Sequence, residues 1–142
     1  MTESNVNIQM RLTSVNEVSF MMSPGKITEE VLPENIKLGF SSQIQPEVEN
    51  NKIALIFGIK YELEGDKVLE CVYRFELSGL AQFITIEDND GITITYIMPH
   101  LISVAIGTMR GILVVKTAGT NLSKYPLPII DPMQLTQTLS NP

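Results

Sequence analysis

Residues 99–119, PHLISVAIGTMRGILVVKTAG, decide how the rest of the chain is read. The stretch predicts one long helix over 99–117. Proline suits a first helical turn, where its missing N–H has no intrahelical partner to lose. Lys116 falls in the last turn, where a cation suits the helix dipole, and Gly119 is placed to take the left-handed conformation that closes a helix. On a helical wheel Leu101, Ile102, Val104, Ala105, Ile106, Met109, Ile112, Leu113 and Val115 cover most of the circumference. Ser103, Gly107, Arg110 and Thr117 form a thin polar stripe, interrupted by Val114. A helix apolar nearly all round must be covered on more than one side. Gly107 and Gly111 lie one helical turn apart and would let a second backbone come close. The expectation is a helix held between its own sheet and another copy of the chain, with Ser103, Gly107, Arg110 and Gly111 at that interface.

Membrane insertion is not expected. A spanning helix needs about 20 uninterrupted apolar residues, whereas Arg110 interrupts this stretch and His100 and Lys116 lie inside its ends. A charge near the bilayer centre is costly. The opening MTESNVNIQM lacks the basic and apolar regions of a secretory leader, so a cytoplasmic location is expected.

At 142 residues the chain is expected to form one domain, structured over about 8–136, long enough to bury roughly two thirds of its unfolded surface. Ten Lys and Arg against 16 Asp and Glu leave a net charge of −6, with no basic cluster. That balance argues against nucleic acid as a partner. A single cysteine, Cys71, excludes an internal disulfide and a cysteine-rich metal site. It stands between Leu69 and Tyr73 on an apolar strand face and reads as a buried structural thiol. The single histidine, His100, reads as a surface or capping residue at the helix start. Glu87, Asp88, Asn89, Asp90 and Gly91 invite a calcium loop, but Ile86 and Ile97 occupy the positions where ligating acids are needed. No catalytic constellation, metal site or cofactor is expected, and the chain is not read as an enzyme.

Strands are predicted by alternation at 6–13, 16–22 and 36–44, with a crossover at 23–35 and a polar turn at 45–51. The clearest pair is KIALIFGIKYEL (52–63) and VLECVYRFEL (68–77) around Glu64-Gly65-Asp66. Ile53, Leu55, Phe57, Ile59, Tyr61 and Leu63 share one face. Leu69, Cys71, Tyr73, Phe75 and Leu77 share another, with Val68, Glu70, Val72, Arg74 and Glu76 opposite. This half-polar alternation predicts an antiparallel hairpin with one solvated face. A turn at 86–91 and an extended lead at 92–98 precede the long helix. Asp131 followed by Pro132 is a helix start, with a cap and then a first-turn proline. The fold class expected is α+β: a four-stranded antiparallel sheet, one long helix on its face and a short C-terminal helix.

The order of these pieces resembles the SecB family of tetrameric protein-export chaperones. IQMRLTSVNEVSF (8–20), LPENIKLGF (32–40), CVYRFELSGLAQF (71–83), the long helix region 98–120 and YPLPIIDPMQL (125–135) follow in register with that family's opening strands, crossover exit, hairpin strand, long helix and final stretch. The resemblance implies a dimer of dimers with the long helices sandwiched between sheets. It also implies an ATP-independent holdase that binds unfolded client polypeptide for export. Client-binding positions carried over are Met21, Met22, Ile27, Val31 and Leu32, then Tyr125, Leu127, Ile129, Ile130 and Met133. Methionine-rich apolar surfaces suit promiscuous binding. Family members dock the translocase motor ATPase through the outer sheet face, and the matching positions are Glu17, Val72 and Arg74. Met21 and Arg74 stand where that family carries acids, so motor docking is expected to be weak or absent. A dedicated chaperone of a toxin–antitoxin system is the alternative, as is a non-catalytic small-molecule-binding or scaffold domain.

Overall fold

The computed structural model describes residues 10–28, 31–79, 85–86, 92–93 and 98–140. In chain order the elements are β1 (Arg11–Met22), β2 (Ile36–Glu47), β3 (Lys52–Leu63), β4 (Asp66–Ser78), β5 (Thr85–Ile86), β6 (Ile92–Thr93), α1 (Met98–Lys116) and α2 (Pro132–Ser140). The first four strands form one antiparallel sheet in the order β1-β4-β3-β2, and β5 pairs with β6. This is the α+β arrangement the alternation and the long apolar helix predict. The calcium-like run 87–91 and the lead at 94–97 lie outside the described residues, as do Val6 and Ile8.

The β3–β4 hairpin sits at the centre of the sheet. Its turn residues, Glu64 and Gly65, have φ of 53° and 83°, the double positive pair of a turn whose twist matches the flanking strands. Ile53, Leu55, Phe57, Ile59 and Tyr61 of β3, with Leu69, Cys71, Tyr73, Phe75 and Leu77 of β4, are all buried on the inner face. A register shift between Tyr61 and Glu62 changes one expectation. Val68, assigned to the polar face by strict alternation, is fully buried beside Leu69, because a bulge lets two successive residues turn inward.

β1 is a single strand where two were expected. Register shifts between Leu12 and Ser14 and between Glu17 and Ser19 break the alternation that would have marked one long run. Through them Val15 pairs with Phe75, Glu17 with Tyr73 and Phe20 with Cys71. β2 runs on to Glu47, past Pro46, which an edge strand tolerates because its outward N–H has no sheet partner.

α1 buries Leu101, Ile102, Ala105, Ile106, Met109 and Leu113 in one core with the inner sheet face and with Ile27, Leu122, Leu127 and Leu135. Its opposite face carries Ser103, Val104, Gly107, Gly111, Val114 and Val115, all exposed. A Cβ added at Gly107 or Gly111 would meet nothing within 4 Å. Among the described residues α1 is the one helix long and apolar enough to cross a membrane by length and composition. At its C-terminal end Gly119 has φ 78°. There the Lys116 ammonium lies 3.3 Å from Glu17 Oε1 and 5.0 Å from the centre of the Phe20 ring. α2 begins as expected, with Asp131 Oδ1 accepting the Met133 N–H at 3.0 Å, and packs on α1 and β2.

Candidate functional site

Two segments far apart in sequence meet beside β2. The crossover 23–35 passes through two short 3-10 turns, Pro24–Lys26 and Pro33–Asn35, and is anchored by the fully buried Ile27. The connection between α1 and α2 begins with the turn Asn121–Lys124, capped by Thr120 Oγ1 accepting the Leu122 N–H at 3.2 Å. Asn121 Nδ2 donates to the Ile27 carbonyl at 2.8 Å. The Tyr125 hydroxyl donates to the Val31 carbonyl at 2.6 Å. A hydroxyl on a carbonyl at that distance is a good hydrogen bond, so the two segments are latched together at both ends of a short path.

After Tyr125 the chain is neither helix nor strand, because Pro126 and Pro128 fix φ and disfavour helix in the residues before them. This strap, 125–130, forms one wall of an open groove of about 370 Å³. The groove is lined by Pro33, Glu34, Ile36 and Leu38 from the crossover exit and β2, Tyr61 from β3, and Lys124, Tyr125, Pro126 and Pro128. Its walls are aromatic rings, proline rings and aliphatic side chains, with one acid and one base. Burial pushes the Tyr61 phenol up to about 12, with the Cys71 thiol a lesser cause. Tyr61 therefore remains a neutral donor at physiological pH, and its hydroxyl donates to the Tyr125 carbonyl at 3.0 Å.

The ten expected client-binding positions divide four ways. Leu32, Ile129 and Met133 are 55%, 98% and 61% exposed, which leaves them free to meet a partner. Met22, Val31, Tyr125 and Ile130 are half-buried. Ile27 and Leu127 are core residues at 1% and 4% exposure, so neither can touch a ligand. Met21 is 39% exposed but pairs with Glu70, on the sheet face turned away from Phe20 and Met22.

The expected motor-docking set is not brought together. Glu17 lies on the α1 side of the sheet, where the Tyr73 hydroxyl donates to Glu17 Oε1 at 2.9 Å. That bond and the Lys116 ammonium hold the Glu17 carboxyl below its ordinary range. Burial first, then Glu17, raises the Tyr73 phenol. Val72 and Arg74 are on the opposite face. Arg74 there donates to Gln45 Oε1 at 2.8 Å and to Glu76 Oε1 at 3.2 Å.

The expected interface set also loses a member. Ser103, Gly107 and Gly111 share the open face of α1, but Arg110 is turned aside. Its Nε donates to the Leu127 carbonyl at 3.2 Å and its Nη2 to the Pro128 carbonyl at 2.8 Å. An uncharged helix run with one guanidinium is a signal in itself, since such a group must find oxygens nearby. Tyr61 read only as a core ring in sequence; its role at the strap depends on a contact 64 residues away.

Chemistry is sparse elsewhere. Burial pushes the Cys71 thiol up to about 11, so it is neither a ready nucleophile nor a metal ligand. Among the described residues no group of three or more His, Cys, Asp or Glu could hold a metal ion. The chain matches no family model, and no curated protein matches it.

Proposed function

We propose that this chain is an ATP-independent chaperone that holds unfolded polypeptide in the groove between the crossover and the strap. The observation that carries the reading is the meeting of the two apolar tracts around one open channel, with Leu32, Ile129 and Met133 exposed close to it in sequence. A buried cavity would suit a metabolite. An open channel with apolar walls and few polar groups instead accepts side chains of varied shape from an extended chain. The SecB-like order of elements supports the same assignment, and by that resemblance the working form is a dimer of dimers with α1 at the inner contact.

Within chaperones, a dedicated client such as an antitoxin is favoured over general export. The reason is specific: Arg74 occupies the outer sheet face with Gln45 and Glu76, and Glu17 is turned to the other side. Light scattering from an aggregating unfolded protein tests the holdase reading directly. The wild-type chain should suppress the signal at stoichiometric concentration, and Leu32→Asp combined with Ile129→Asp should abolish suppression without changing the circular dichroism. A wild-type chain that leaves aggregation untouched overturns the assignment.

A further inference from the structure

We infer that Arg110 is the positioning residue of the groove: from behind the strap it holds the wall against which polypeptide binds. The inference rests on the polypeptide reading of the groove given above. Among the described residues, no backbone-to-backbone hydrogen bond outside regular elements holds 126–130. Side chains do that work instead. Tyr61 holds the Tyr125 carbonyl, and the Arg110 guanidinium holds two more further along, those of Leu127 and Pro128. Bonds from a charged donor are the stronger kind, and a planar fork is pre-organised to serve two carbonyls at once.

The space behind the strap gives the pins their importance. A cavity of about 70 Å³ lies there, lined by Leu69, Leu113, Val114 and Thr117 on the far side and by Tyr125, Pro126 and Leu127 of the strap itself. Tyr61, Tyr125 and Pro126 line both this cavity and the outer groove. The strap is therefore a thin partition with room behind it. Released from Arg110, it can relax inward or away and the groove loses its shape, even though Arg110 does not line the groove.

The test uses the full chain and fluorescein-labelled, reduced and carboxymethylated α-lactalbumin as a permanently unfolded probe. Arg110→Met removes the donors and keeps an unbranched apolar stem. It should weaken probe binding at least tenfold, the scale set by losing even one hydrogen bond from a charged donor. Arg110→Lys, a point charge on a flexible stem in place of a rigid fork, should recover part of the loss. Thermolysin should cut faster before Ile129 and Ile130 in Arg110→Met, with hydrogen-exchange protection across β3, β4 and α1 unchanged. A variant merely less stable would lose protection everywhere. If Arg110→Met does not fold, Tyr61→Phe removes the third pin and should itself weaken binding. Wild type that binds while Arg110→Met, or failing that Tyr61→Phe, binds equally well overturns the positioning role and leaves the polypeptide reading standing. Wild type that binds no probe overturns both.

Discussion

Cys71 and Tyr61 are weak acids placed side by side in the core, and both resist ionisation for the same reason. Burial lifts the thiol from its ordinary 9.0 to about 11 and the phenol from 10.0 to about 12. In the unfolded chain each ionises near its ordinary value, so the unfolded state gains charge before the folded state can. The stabilisation is fully present below about pH 9 and is lost as pH rises through 9–11 for Cys71 and 10–12 for Tyr61. Denaturant midpoints measured from pH 8 upward should fall across this window. Cys71→Ala, starting from a lower midpoint because it leaves a small cavity, should show a shallower fall in the lower half of it. Equal slopes would mean the thiol is not protected. This much was open to sequence reading, because an apolar strand position predicts burial and burial predicts the direction of the shift. The role of Arg110 was not. Its charge was visible at the centre of an apolar helix, but which oxygens it reaches depends on where the chain returns after Gly119.

α1 is the element whose sequence says most and whose surroundings decide the rest. In the isolated chain its open face is free: a Cβ added at Gly107 meets nothing within 4 Å, so Gly107→Leu should stabilise a monomer by somewhat less than the ~1 kcal/mol of a glycine-to-alanine change. If that face packs against a second α1, the same substitution overpacks the contact and costs about 1–3 kcal/mol. The two assemblies thus predict opposite signs. The exposed Val104, Val114 and Val115 beside the two glycines are the kind of surface a second copy covers. We expect multi-angle light scattering to give a dimer or larger for wild type and a smaller mass or lower melting temperature for Gly107→Leu. A wild-type monomer at micromolar concentration would refute this expectation. Helix and hairpin were legible because their periods persist over many residues. The single β1 was not, since its two bulges reset the alternation just where a reader would follow it. Val68 escapes alternation for the same reason: it is the extra residue between Lys67 and Leu69, opposite Glu62 and Tyr61, and one such residue reverses a face.

The outer sheet face carries charge in short-range pairs such as Lys60 with Glu62 and Lys67 with Glu70. Exposed pairs of this kind contribute little stability, but they leave no broad single-signed field there for a charged partner to find. Arg74 adds a cation at the centre of that face. Titration calorimetry with the zinc-bearing tail of a translocase motor is accordingly expected to show no association at micromolar concentration, and tight binding would reinstate general export as the function. The strap has a last consequence at this scale. Pro126 and Pro128 carry no amide hydrogen. The Tyr125, Leu127 and Pro128 carbonyls are already taken from within. The wall therefore has few main-chain donors or acceptors to lend a visiting strand. On the proposed polypeptide reading, this wall holds a client by its side chains and offers it little main chain on which a cross-strand ladder could be seeded.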